Sequence, residues 1–174
     1  MRLFISINLP EDTRGRIVSF QTSLKKFSKQ GNFSLPENLH LTLVFIGEVD
    51  IRRLNHILQT VDSIPYPATS FRIEGSGFFK RDGGNILWLG VKAYDGLAKI
   101  QMYLNDELKK YGFQLDDRSF KPHLTLAREC IIDKDAVMPI FEPETVAVTR
   151  VSLMKSERIA DKLKYTEIHG KDLK

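Results

Sequence analysis

His40-Leu41-Thr42-Leu43 and His123-Leu124-Thr125-Leu126 are one tetrapeptide written twice in a chain of 174 residues, 83 positions apart (123 minus 40). Two of the four histidines stand in these copies. Each copy follows a predicted helix and a proline-bearing loop, with Pro36 before the first and Pro122 before the second. In a β-strand successive side chains point to opposite faces. His40 and Thr42 therefore share one face and Leu41 and Leu43 the other, and His123 and Thr125 are set against Leu124 and Leu126 in the same way. The leucines suit a core packed under helices. The His-Thr pairs suit a polar surface. If the two copies belong to lobes related by a pseudo-two-fold axis, that surface becomes a cleft with a His-Thr pair on each wall.

The chain around the copies reads as α+β. Met1–Leu9 lacks the basic start, long apolar stretch and small-residue cleavage site of an export leader. Arg2–Asn8 instead alternates as a strand. Pro10, Glu11 and Asp12 open a helix expected to run to Phe27, with Ile17, Phe20, Leu24 and Phe27 on one face. Residues 33–37 read as a loop and Leu39–Ile46 as a strand ended by Gly47. Asp50 caps a helix over Ile51–Val61. Thr69–Phe79, bent at Gly75 and Gly77, forms a hairpin with Ile86–Val91 through Asp82-Gly83-Gly84-Asn85. Asp95 caps a third helix, from Gly96 to Tyr111, that Gly112 ends. Strands follow at Pro122–Glu129, in the β-rich run 141–155, and at Leu163–Ile168, with a helical turn expected over Asp133–Val137. Several neighbouring strands read as hairpin-linked, so mostly antiparallel sheet is expected. No flexible linker interrupts the sequence, and residues 1–174 are expected to form one domain.

Composition narrows the function classes. The hydrophobic share of 42% supports a real core. No apolar run is long enough for a membrane span. Cys130 is the only cysteine, so no intramolecular disulfide forms, and a lone thiol without an export leader suggests the cytoplasm. Cys130 follows Arg128-Glu129 with nothing to activate it and reads as a small residue at a strand end. Lys and Arg number 26 against 22 Asp and Glu, which is compatible with an anionic substrate such as RNA.

Two histidines across a cleft suit phosphoester chemistry. Imidazole titrates near neutral pH, so one ring can be neutral while the other is protonated. The neutral ring takes a proton from water, and the charged ring gives one to the leaving oxygen. Threonine hydroxyls can donate to the nonbridging phosphate oxygens. A zinc site would need three or four protein ligands. The lone Cys130, the pair Asp116-Asp117, His56 on a helix and His169 in the tail do not supply one, so no metal or cofactor is expected.

The chain resembles the two-histidine phosphoesterases, and within them the RNA 2',3'-cyclic phosphodiesterases, historically called 2'-5' RNA ligases. The resemblance rests on Arg2-Leu3-Phe4-Ile5-Ser6-Ile7 with Leu9-Pro10, on residues 37–43 with Phe45-Ile46-Gly47-Glu48-Val49, on Leu87-Trp88-Leu89-Gly90-Val91, and on residues 120–128. It implies a bilobal α+β fold: two pseudo-symmetric lobes, each with a mostly antiparallel sheet and outer helices, and an active-site cleft between them. It implies hydrolysis of a 2',3'-cyclic phosphate at an RNA 3' end to a 2'-phosphate, with tRNA fragments among the candidate substrates. His40 would be the general acid and His123 the general base, with Thr42, Thr125 and Arg128 binding phosphate. Arg128 lies five residues beyond His123, so strict alternation turns it away unless the strand ends or bulges there or its long side chain reaches round. Lys121 shares the parity of His123. Phe33 stands where the family often has Trp, and Phe78 and Phe79 are further candidates for stacking on a base.

Alternatives are 2'-5' RNA ligation, cleavage of other cyclic or 2'-5' phosphoesters, and a non-catalytic RNA end-binding module, which would not need the paired histidines. The protein is expected to act as a monomer, with a bell-shaped pH dependence and resistance to EDTA.

Overall fold

The computed structural model describes residues 1–133, 137–160 and 162–174. In chain order the elements are β1 (Arg2–Asn8), α1 (Glu11–Lys25), β2 (Ser28–Phe33), β3 (His40–Glu48), α2 (Leu54–Asp62), β4 (Thr69–Phe79), β5 (Asn85–Ala93), α3 (Asp95–Lys110), β6 (His123–Ile132), β7 (Glu144–Val148), β8 (Arg150–Ile159) and β9 (Lys162–Asp172). Single 3-10 turns occupy Pro36–Asn38 and Ile51–Arg53.

The strands form a four-stranded sheet of order β3-β1-β8-β9 and a five-stranded sheet of order β2-β6-β5-β4-β7. All pairings among the described residues are antiparallel. This is the α+β, two-sheet arrangement expected, with one His-Leu-Thr-Leu copy opening a strand in each sheet. The four leucines of the two copies are buried. Each contributes about 2 kcal/mol by leaving water, so burial of one face fixes which way the histidines point.

Helix α1 leaves the four-stranded sheet after β1 and covers the other sheet. Its Gln21 amide donates to the Leu126 carbonyl of β6 at 2.9 Å, and its Phe20 meets Phe141 edge to face. Helix α2 packs against β8 and β9, and α3 against β3, β4 and β5. One continuous core takes residues from both sheets, among them Ile5, Leu41, Leu89, Leu124 and Leu153.

Several expectations are corrected in detail. Helix α1 stops at Lys25, and Ser28–Phe33 pairs with β6 as an edge strand. Its polar sequence carries no apolar alternation, because only one of its edges is paired. Asp50 does cap, accepting from the Arg52 amide, but the first turn is 3-10 and α2 proper starts at Leu54. Asp95 does not cap α3. Tyr94 holds that position without a side-chain bond, and Asp95 lies in the first turn, where its charge still favours the helix dipole. Gly112, at φ +74°, ends α3 with its amide donating to the Lys109 carbonyl. The run 141–155 is two strands in different sheets, split at Thr149. The helical turn expected over Asp133–Val137 falls largely on residues 134–136, outside the described residues.

Candidate active site

His40 and His123 line one cleft of about 1240 Å³, together with Thr42, Thr125, Arg128 and Phe45. The two histidines are held alike. The Nδ1 of His40 lies 2.7 Å from the Asn38 carbonyl, and the Nδ1 of His123 lies 2.7 Å from the Lys121 carbonyl. A carbonyl only accepts, so Nδ1–H is the donor in both and the proton-exchanging nitrogen is Nε2. The contribution of Lys121 is thus a backbone oxygen that orients His123.

Beyond that anchor the two rings differ. The Nε2 of His40 lies 2.9 Å from the Thr42 hydroxyl, and its ring sits against Phe4 at 4.9 Å and edge-on to Tyr165 at 5.1 Å. His123 meets Phe79 edge-on at 5.2 Å, and Phe79 leans on Trp88. Gly77 makes room for that indole: a Cβ there would stand 2.5 Å from the Trp88 ring. Burial lowers the His40 pKa from its ordinary 6.5. The Asn38 carbonyl opposes the shift, while Arg128 and His123 add to it. Burial also pushes the Tyr165 hydroxyl up, against the pull of Arg128 and Arg2.

Arg128 reaches the cleft through a bulge. On β5, consecutive Leu87 and Trp88 pair with Ala127 and Thr125, which leaves Leu126 as an extra residue in β6. Leu126 and Ala127 are therefore both buried, and Arg128 returns to the face of His123 and Thr125. The bulged carbonyl of Leu126 accepts from the Gln21 amide and from the Ser34 backbone amide at 2.8 Å, while the Ser34 hydroxyl donates to the Thr125 carbonyl at 2.9 Å. Strand β3 repeats the device. Thr42 pairs with Ser6 and Val44 with Ile5, so Leu43 is the extra residue, Leu43 and Val44 are both buried, and Phe45 turns into the cleft.

Phe45 occupies, five residues after His40, the place that Arg128 occupies after His123. It is 49% exposed, and the Arg2 guanidinium lies 5.1 Å from its ring centre. Neither Phe45 nor Tyr165 was singled out from the sequence. Phe45 could have been found by carrying the repeat one bulge further; Tyr165 arrives from a distant strand and leaves no local signal. Of the stacking candidates, Phe33 lines the cleft under Lys25, Phe79 supports His123, and Phe78 lines a separate apolar cavity of about 500 Å³. His56 stacks on Tyr111 and His169 pairs with Asp62, both outside the cleft. Cys130 is buried beside the Ser28 hydroxyl.

Among the described residues, no group of three or more His, Cys, Asp and Glu side chains is gathered as metal ligands would be, and no helix is long and apolar enough to cross a membrane. The arrangement offers two imidazoles with oriented Nε2 atoms, two hydroxyls and one guanidinium on the walls of a single cleft.

The chain is similar to several known proteins. A family model described as the 2'-5' RNA ligase superfamily matches residues 10–160. An RNA 2',3'-cyclic phosphodiesterase of Thermotoga maritima is 33% identical over 170 residues, covering 90% of this chain and 87% of that protein. The Escherichia coli protein of the same name is 28% identical, covering 96% and 93%. The crystal structure of E. coli LigT complexed with 3'-AMP superposes with a TM-score of 0.84 at 25% identity, covering 99% of this chain and 97% of that one. The chain belongs to the 2'-5' RNA ligase superfamily of two-histidine phosphoesterases.

Proposed function

We propose that the protein hydrolyses the 2',3'-cyclic phosphate at RNA 3' ends to a 2'-phosphate by metal-independent acid-base chemistry between His40 and His123. Water attacks phosphorus as His123 Nε2 takes its proton. The bond from phosphorus to the 3' oxygen breaks as His40 Nε2–H protonates that oxygen. Thr42, Thr125 and Arg128 donate to the nonbridging oxygens, where charge grows in the transition state. The observation that carries the reading is the matched pair of histidines, each tied through Nδ1 to the carbonyl two residues back, with Arg128 turned onto their face. The relatives named RNA 2',3'-cyclic phosphodiesterase support the same substrate.

Phe45 is the base platform in this reading: an exposed ring on the cleft wall beyond Thr42. Ligation to a 2'-5' bond is the same ring-opening attack on the cyclic phosphate with an RNA 5'-hydroxyl in place of water, and it needs two RNA ends held together, so hydrolysis dominates in water. The lowered pKa of His40 favours one variation, in which His40 is the base and His123 the acid. Against it, a substrate phosphate anion opposes the desolvation that lowers His40, and a weakly basic imidazole is a strong acid once charged. The buried, unbridged Cys130 is compatible with action in a reducing compartment, and the cytoplasm is the place proposed, with cleaved RNAs such as tRNA fragments as the proposed substrates.

The test is incubation of the purified protein with EDTA and a short RNA ending in a 2',3'-cyclic phosphate, followed by mapping of the product phosphate. A 2'-monophosphate is expected. An intact end, a 3'-monophosphate, or dependence on added metal would reject the assignment.

A further inference from the structure

We infer that the outer part of the β8–β9 hairpin, Arg158 on β8 with Lys162 and Leu163 on β9, is a second subsite of the cleft, taking the RNA backbone on the 5' side of the cyclic phosphate. This rests on the function proposed above. A cyclic phosphate ends its strand, so every further nucleotide of the substrate lies on the 5' side.

Strand β1 pairs with β8 only as far as Arg2 opposite Ser156, whereas β8 and β9 continue together to Ile159 opposite Lys162. The hairpin therefore overhangs its sheet as a two-stranded arm. The cleft runs out along it: Arg158, Lys162 and Leu163 line the same space as His40 and His123. At about 1240 Å³ that space exceeds the roughly 300–1,000 Å³ typical of a site for one small ligand.

Alternation orders the arm. Ser156 is opposite Tyr165 and Arg158 is opposite Leu163, so these four share a face. Tyr165 touches the His40 ring, and Arg158 with Leu163 stands two residues, about 7 Å, further out. Cations beside an apolar track are what a single nucleic-acid strand requires, the cations for phosphates and the track for bases and sugars. The arm's Glu157 is paired with Lys155 at 2.6 Å. The arm is also tied to the catalytic strand: the Asn38 amide donates to the Leu163 carbonyl at 2.8 Å, and the Asn38 carbonyl holds His40.

The experiment measures kcat/KM for a 2',3'-cyclic mononucleotide and for an oligoribonucleotide of about five residues with the same cyclic end. Each is measured with the wild type and with the double variant Arg158→Ala, Lys162→Ala, and the ratio of the two substrates is compared. Both side chains are exposed, so the variant is expected to fold. Wild type should favour the oligonucleotide, and the variant should cut that preference about tenfold, mainly through KM, and flatten the slope of log(kcat/KM) against log[salt] by about 1.4 for two lost phosphate contacts. Charge reversal by Arg158→Glu and Lys162→Glu should cut it further. A wild-type ratio near one, or a ratio unchanged in both variants, would overturn the subsite while leaving the proposed function standing. Failure of wild type to hydrolyse either substrate would overturn both.

Discussion

Arg128 and His123 share one face of β6 although they stand five positions apart, an odd offset, because Leu126 is an extra residue in the ladder with β5. Leu43 does the same between His40 and Phe45 on β3. The two lobes thus repeat a His, a Thr, a bulge and one more side chain turned into the cleft. The last member differs: a cation from one wall, an aromatic ring from the other. Phosphate and base need different chemistry, and under the proposed function the repeat would supply one partner for each.

Arg128→Ala should lower kcat/KM for the cyclic-ended RNA by about a hundredfold, the scale of losing one preorganised donor to a developing oxyanion. Arg128→Lys should recover only part of that, since a lysine cannot make the guanidinium's two-pronged contact. Steady-state kinetics with melting curves check this. Full activity in Arg128→Ala would remove the guanidinium from the phosphate site.

Phe45→Ala should raise KM about tenfold, as expected when one base loses its stacking partner, with a smaller change in kcat. Phe45→Trp should keep the affinity. A drop in kcat alone would assign Phe45 to orientation of the histidines instead of base binding.

The roles of the histidines separate by leaving group. A p-nitrophenyl phosphodiester releases an anion that needs no proton, so loss of the general acid should matter little on it. On cyclic-ended RNA, His40→Ala and His123→Ala should each lose at least about a hundredfold. On the nitrophenyl ester, His40→Ala should lose much less than His123→Ala. The opposite ranking would exchange the roles.

Stability should carry the signature of the buried His40. Its folded pKa is lowered by burial from 6.5. As pH falls below that value the unfolded chain takes up the proton first, so stability present at pH 7 and above is lost through the folded pKa. The wild-type melting temperature should therefore fall more between pH 8 and pH 5 (about the range spanning an imidazole's titration) than that of His40→Gln. An equal or larger fall in the variant would show that His40 is not the group responsible.

The His-Thr alternation was legible because it depends only on the pleat, and burial of Leu41, Leu43, Leu124 and Leu126 follows from it. The bulge before Arg128 was legible only as one of several conditions and the one before Phe45 not at all, because they depend on register with β1 and β5 and, in β6, on partners far along the chain, Gln21 and Ser34. Strand β2 escaped because Ser-Lys-Gln-Gly-Asn-Phe forms a polar edge that the β6 ladder orders. The switch between sheets at Thr149 does leave a trace. Val146 and Val148 are even-numbered, Val151 and Leu153 odd, and the change of parity marks where the chain crosses. Tyr165 and the overhanging arm belong to tertiary structure alone.

The most direct test of the two-histidine account is kcat on cyclic-ended RNA for His40→Ala, His123→Ala and the double variant, measured in EDTA. Groups that act in one proton relay lose their effect together. Each single variant should fall by at least about a hundredfold and the double variant little further than the worse single. A double variant whose loss is the product of the two single losses, or a single variant with the full wild-type rate, would contradict it.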